Sequence, residues 1–200
     1  MIVGLVGMIG AGKGACGDIL EQQGFQKESF AKAVKDALAP IFGWDRAMLE
    51  GDTVESRNWR EQPDEYWSSK LGKPFTPRQA LQLMGTEAGR NVFHEDIWIL
   101  SMEKRLDPNK NYVITDTRFP NEVEMIHRMG GKVFRISRGP EPAWFNDAYR
   151  SNVSGSNIQK LIRYPEVHYS EWAWIGCNLD ARIKNDGTLE DLKSVLLTLI

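Results

Sequence analysis

The sequence predicts an α/β fold in three layers, with a parallel central sheet between helices. Three observations predict it. The apolar run Ile2–Val6 leads into a glycine-rich turn and then a helix-compatible stretch, Ala15 to Gln22. Two later apolar runs, Tyr112–Asp116 and Lys132–Ile136, are separated by a segment of helical pattern. Strands that alternate with helices need right-handed crossovers, and those make neighbouring strands parallel. A length of 200 residues suits one such domain carrying small insertions.

Taken in order, the first element is the most informative. Gly7-Met8-Ile9-Gly10-Ala11-Gly12-Lys13 fits the pattern G-x-x-x-x-G-K, between a strand and a helix. Glycines let the backbone curl so that successive N–H groups face one concavity, the helix adds its positive end, and the lysine reaches the outer phosphates. Ile9, Gly10, Ala11, Gly12, Lys13, Gly14 and Ala15 are therefore candidate ligands of a nucleotide triphosphate. The residue after the lysine is normally Ser or Thr, whose hydroxyl binds magnesium. Here it is Gly14, followed by Ala15. Magnesium must then be held through water, by a carboxylate from elsewhere.

Residues Ser29 to Gly43 read as a helix with Phe30, Val34, Ala37, Leu38 and Ile41 on one face, bent or ended by Pro40. Asp45 to Lys73 is polar, holds Trp59, Tyr66 and Trp67, and has no sustained period. It reads as an insertion with short helical pieces that partly covers a site. Thr76-Pro77-Arg78-Gln79 then opens a long helix, with Thr76 at the N-cap and Gln79 completing a capping box. Arg78, Gln82, Thr86 and Arg90 recur at spacing four. Such a stripe fits a solvated face as well as a ligand face; Gly85 and Gly89, costly inside a helix, favour close approach of something to it. The helix is expected to continue from Asn91 to Leu106.

The strand Tyr112–Asp116 ends in a carboxylate, the usual magnesium-holding arrangement beside a phosphate loop. Asp116-Thr117-Arg118-Phe119-Pro120 turns into a helix with Val123, Met125, Ile126 and Met129, ended by Gly130-Gly131, before the strand Lys132–Ile136. Ligands of such sheets bind at the carboxyl ends of the strands, so Gly7 to Lys13, Asp116 and Arg138 are expected to share one edge. From Gly139 to Tyr169 the pattern dissolves, with Pro140, Pro142 and the polar run Ser151–Asn157, and reads as a mobile flap carrying Arg150 and Arg163. A strand at Ala181 to Lys184, a turn at Asn185-Asp186-Gly187 and a helix capped by Thr188 follow, with Leu189, Leu192, Val195, Leu196 and Leu199 inward.

Bulk properties exclude several classes. The 25 basic against 27 acidic residues give a net charge of −2, which is no footprint for a nucleic acid polymer. The two cysteines, Cys16 and Cys177, fit a reducing compartment. No signal peptide and no stretch long enough for a bilayer is read, so no membrane partner and a cytoplasmic location are expected. Oligomeric state stays open, a homodimer included.

The segments GxxxxGKG, SFAKAVKDALAPIFGW, TPRQALQLMGTEAGR, ITDTRFPNE, HYSE and NDGTLEDL together resemble the deoxynucleoside monophosphate kinases of tailed bacteriophages. The resemblance runs from end to end and is weakest in 45–75 and 139–167. It implies one P-loop kinase domain over 1–200 that moves the γ-phosphoryl group of ATP to a deoxynucleoside monophosphate, in host cytoplasm if phage-encoded. It implies a monophosphate-binding insertion at 45–75 and a lid over ATP at 139–167. ATP with Mg2+ would be held by the loop, Lys13 and, through water, Asp116. Lys13, Asp116, Arg118 and Arg138 are the expected catalytic set. Lys35, Arg78 and Arg90 would meet the acceptor's phosphate, with Gln82 and Thr86 nearer its base. His168 and Glu171 are expected to anchor the base of the lid. Two other readings stay open: another P-loop kinase of a small metabolite, such as a dephospho-coenzyme A kinase, or a nucleotide-binding module without turnover.

Overall fold

The computed structural model describes residues 1–156 and 163–200, and it falls into two compact units: Met1–Ser29 with Leu106–Ile200, and Phe30–Arg105. The part of the expected lid at 157–162 lies outside the described residues.

The first unit holds the sheet. Strands β1 (Ile2–Val6), β2 (Gln26–Glu28), β3 (Tyr112–Ile114), β4 (Lys132–Ser137) and β5 (Ala181–Lys184) lie in the order β2-β3-β1-β4-β5. Every neighbouring pair is parallel, with Val3 beside Val113 on one side and Lys132 on the other. The predicted parallel sheet is the one that forms. Strand β3 stops at Ile114, two residues short of its expected end at Asp116. Strand β2 has no apolar signature, because an edge strand buries little and is protected by charge. Its Lys27 pairs with Asp18 at 2.6 Å and Glu21 at 2.9 Å.

Alternation along the strands splits the apolar residues between two helical layers. On one face Val3, Leu5, Phe134, Ile136 and Ile183 pack with Cys16, Ile19 and Leu20 of α1 (Lys13–Gln22). The C-terminal helix, whose range is Leu189–Leu197, adds Leu192 and Leu196 to the same cluster. Thr188 caps it as expected, but Leu189 and Val195 are exposed, because a single buried stripe suffices against a flat sheet. On the other face the helix Pro120–Arg128 sits so close to β1 that a Cβ on Gly4 would meet Ile126 Cδ1 at 2.4 Å. The expected flap contains a regular helix, Phe145–Ser154, that the polar composition hid. Its Asn152 Nδ2 donates to the carbonyls of Trp172 at 3.0 Å and Ile175 at 2.7 Å, so this part is anchored.

The second unit is helical. In chain order it holds α2 (Lys32–Phe42), α3 (Val54–Glu61), α4 (Glu65–Leu71), α5 (Pro77–Gln82), a π-helical segment (Leu83–Phe93) and α6 (Ile97–Arg105). The helices of the first unit then continue as α7 (Pro120–Arg128), α8 (Phe145–Ser154) and α9 (Leu189–Leu197). Helix α2 starts three residues later than expected and ends at Phe42, two residues past Pro40, with Gly43 as its left-handed C-cap. Val34 and Leu38 are buried there, whereas Ile41 is exposed. Two aromatic residues of the insertion pack against this unit's core: Trp59 meets the buried Trp44 edge-on, and Trp67 meets Phe42 edge-on, while Phe42 and Trp44 stack on each other.

The long helix expected from Thr76 is three pieces. Its capping box is as predicted, with Gln79 N donating to Thr76 Oγ1 at 3.1 Å. From Leu83 the winding changes to i→i+5, as in His94 N to Gly89 O at 3.2 Å, and the chain leaves the helix before Ile97. Residues four apart then fall short of a full turn, so Thr86 and Arg90 do not continue one straight stripe from Arg78 and Gln82. Gly89 is where close approach occurs, since a Cβ there would meet the Trp98 ring at 2.4 Å. Gly85 has open space around its Cα, and its carbonyl accepts the Trp98 indole N–H at 2.7 Å.

Candidate phosphate-binding site

Parallel strands put every strand's carboxyl end on one edge of the first unit. That edge collects Ser29 after β2, Asp116 to Arg118 after β3, the loop Gly7–Gly12 after β1, Arg138 after β4 and Asn185 after β5. The grouping expected of the loop, Asp116 and Arg138 is the one found, and Ser29 and Asn185 join it.

The loop owes its path to two glycines. Gly7 has φ 145°, and a Cβ there would lie 2.2 Å from the carbonyl oxygen of Ile136, so any side chain would push the loop off β4. Gly12 is the N-cap of α1 in the left-handed region, at φ 104°, with no side-chain cap on the helix. Gly12 brings no side chain to cap this first turn, and the orphan N–H groups of a helix N-terminus suit an anion. Ala11 is buried and Ile9 is exposed. Gly14 and Ala15 lie in the first turn of α1 and bring no hydroxyl.

Lys13 folds back over its own loop, its Nζ donating to the carbonyls of Gly7 at 2.6 Å and Met8 at 2.9 Å. Burial, and then the nearby charge of Arg118, lower its pKa to about 8, while Glu171, Asp116 and Cys16 pull the other way. Cys16, in the first turn of the same helix, is pushed up to about 12 by burial and is an inert thiol.

Asp116 accepts a hydrogen bond from Ser29 Oγ at 2.7 Å. Among the described residues no cluster of three or more His, Cys, Asp or Glu could hold a metal by itself. Magnesium does not need one: it keeps several waters and is usually held by one or two carboxylates together with substrate phosphates. An all-oxygen pair, the Asp116 carboxylate and the Ser29 hydroxyl, fits such an ion in its hydrated form. Ser29 supplies a hydroxyl near the site that the loop lacks, and its distance in sequence from Lys13 hid it.

Arg118 has both its backbone and its side chain tied to carboxylates. Its N–H donates to the buried Glu122 Oε2 at 2.7 Å, and its Nη1 pairs with Glu171 Oε1. Glu171, expected as an anchor of the lid, is brought here onto Arg118. Arg138 is exposed at the end of β4. A cavity of about 490 Å³ lies beside the loop, and Met8, Ile9, Arg138, Glu141, Trp144 and Glu171 contribute to its wall. The buried strand residue Arg135 pairs with Glu141 and stacks over Phe145 at 4.5 Å, an element that no sequence signal announced.

The residues expected at the acceptor lie in the second unit. Lys35 is buried and pairs with Glu50 Oε2 at 2.5 Å, which also holds Arg46. Arg78 lies 3.8 Å from Glu61, and Arg90 Nη1 donates to the Glu95 carbonyl at 3.0 Å. Gln82 ends α5, and Thr86 lies half-buried in the π-helical segment. Among the described residues no helix is long and apolar enough to cross a membrane.

No protein-family model matches the chain. A protein of Acanthamoeba polyphaga mimivirus named as a deoxynucleotide monophosphate kinase is 29% identical over 153 residues, 69% of this chain and 74% of its own. The deoxynucleoside-5'-monophosphate kinase of Escherichia phage T5 is 50% identical over 55 residues, 26% of this chain and 22% of its own. Among solved structures, shikimate kinase from Aquifex aeolicus covers 100% of this chain and 96% of its own at TM-score 0.45 and 12% identity. Dephospho-CoA kinase from Campylobacter jejuni covers 99% and 94% at TM-score 0.36 and 18% identity. The phosphate loop and the parallel sheet stand beside these relatives: this chain is similar to viral proteins named as deoxynucleoside monophosphate kinases.

Proposed function

We propose that this protein is a kinase that transfers the γ-phosphoryl group of ATP to a deoxynucleoside monophosphate. An oxygen of the acceptor's phosphate bonds to the γ-phosphorus, the bond from that phosphorus to the β–γ bridging oxygen breaks, and ADP leaves with the electron pair. The observation that carries this reading is the edge at which the loop, Lys13, Asp116 and Arg118 meet. It offers amide donors and two cations to polyphosphate. Phosphoryl transfer asks for alignment and charge neutralisation, which this set supplies.

In this reading Lys13 exchanges the Gly7 and Met8 carbonyls for β- and γ-phosphate oxygens. Asp116 and Ser29 would hold magnesium through its waters. The ion, when bound, screens the phosphate charge. Arg118 follows the γ-phosphoryl group during transfer, and Arg138 approaches the phosphates from the end of β4. Lys35, Arg78 and Arg90 serve the acceptor's phosphate, and Gln82 and Thr86 its base. Of the expected lid, the described residues 139–156 and 163–167 would cover ATP and keep water from it.

A coupled assay with ATP, magnesium and each of the four deoxynucleoside monophosphates tests the proposal. Formation of ADP that depends on one or more of these acceptors is the expected result. ATP binding without transfer to any of them overturns it.

A further inference from the structure

We infer that Glu171 is a positioning residue for Arg118, holding its guanidinium at the loop so that the remaining N–H groups face the transferring phosphoryl group. The inference rests on the kinase reading above and adds a residue to it.

The pair joins residues 53 apart in sequence, Arg118 Nη1 donating to Glu171 Oε1. Both ends are fixed independently of each other. Arg118 stands on a backbone whose N–H groups at 118 and 119 bond the Glu122 carboxylate at 2.7 and 3.1 Å. Glu171 ends a short helical turn, Tyr169–Glu171, capped by His168, and its carbonyl accepts the Trp174 indole N–H at 3.0 Å. Asn152 of α8 ties down the carbonyls of the residues that follow, at Trp172 and Ile175. The carboxylate is therefore presented from a pinned backbone. It also lies on the wall of the cavity beside Met8 and Ile9 of the loop.

An arginine side chain has many rotamers to lose, and a phosphoryl group that had to organise it would bind at a cost in entropy. A guanidinium carries five N–H donors in a planar fork, so one carboxylate engages part of it and leaves the rest for phosphoryl oxygens. Glu171 serves that purpose with its side chain only 17% exposed, where water competes weakly. Its negative charge also offsets the repulsion between Arg118 and Lys13, two cations close enough for each to be felt by the other.

The test is a double-mutant cycle on the full chain with Glu171→Gln, Arg118→Ala and the double variant, with Glu171→Asp as the conservative control. Glu171→Gln is expected to lower kcat about 10-fold while the KM for ATP stays within about threefold, because alignment rather than ATP affinity is lost. It is expected to cost nothing further once Arg118 is alanine, and Glu171→Asp is expected to recover part of the loss. Thermal unfolding of each variant identifies any that fails to fold, and Glu171→Asp then takes the place of Glu171→Gln in the cycle. A kcat for Glu171→Gln within about twofold of wild type overturns the inference, as do losses that multiply with those of Arg118→Ala. If wild type itself transfers no phosphate, the kinase reading has failed separately.

Discussion

Asn185 Nδ2 donates to the carbonyl of Ala11 at 2.9 Å, tying the turn after β5 to the middle of the phosphate loop. Gly12 makes room for this contact, since a Cβ on it would lie 2.2 Å from the same Nδ2. Asn185 is itself placed by its backbone N–H, which donates to the Ser137 carbonyl at 2.8 Å. The loop is thus shaped before any ligand arrives, which lowers the ordering cost of binding.

Asn185→Ala should therefore weaken ATP binding by roughly 10-fold and lower stability by about 1 kcal/mol, the usual net worth of one such bond. Isothermal titration with ATP and thermal unfolding measure the two effects. Unchanged ATP affinity would show that the loop holds its shape without the strap.

Lys13→Ala should cut turnover by about 100-fold or more, as loss of a preorganised charge donor does. The fold should survive, because Nζ satisfies only two loop carbonyls that water can reach once it is gone. Circular dichroism alongside the coupled assay checks both halves.

Lys13 also sets a pH dependence. With its folded pKa near 8 against an ordinary 10.5, the folded chain gives up this proton before the unfolded chain does. Between those two values the unfolded state binds more protons, so the contribution of Lys13 to ligand-free stability rises with pH. Activity runs the other way, because the free enzyme loses the ammonium that meets phosphate. The kcat/KM for ATP should fall with a single-proton limb near pH 8, read from a profile over about pH 6 to 10. Lys13→Arg should abolish that limb; its persistence would assign it to another group.

Asp116→Asn should shift the magnesium titration of activity to concentrations about 10-fold higher while leaving metal-free ATP binding largely intact, in the manner of a ligand that acts through water. A superimposable titration curve would remove Asp116 from the metal's surroundings.

The two glycines of the π-helical segment should behave differently. Gly89→Ala drives a methyl group into the Trp98 ring and the Met84 carbonyl, at 2.4 and 2.6 Å, and should destabilise the fold by about 2 kcal/mol. Gly85→Ala meets nothing within 4 Å. It should be neutral or stabilising by up to about 1 kcal/mol through the unfolded chain. Denaturant unfolding of both variants decides.

By itself the sequence determined the elements whose signals are local. The run Ile2–Val6, the loop to Lys13, the capping boxes at Thr76 and Thr188 and the strand Ala181–Lys184 all depend on residues within a few positions of one another. A buried parallel strand reads as a continuous apolar run, and a cap is a fixed spacing of two side chains. The strand–helix alternation also settled that the loop, Asp116 and Arg138 end on one edge, since parallel strands leave no other arrangement. Tertiary structure alone decided what depends on contacts across long separations. Edge strand β2 has no apolar code, helix α8 was hidden by its polar residues, and the switch to π winding after Leu83 accompanies the packing of Trp98 on Gly85 and Gly89. The same holds around the phosphate loop. Ser29 on Asp116, Glu171 on Arg118 and Asn185 on Ala11 join residues 53 to 174 positions apart. No spacing rule reaches that far, because only the folded sheet brings those side chains within hydrogen-bonding distance.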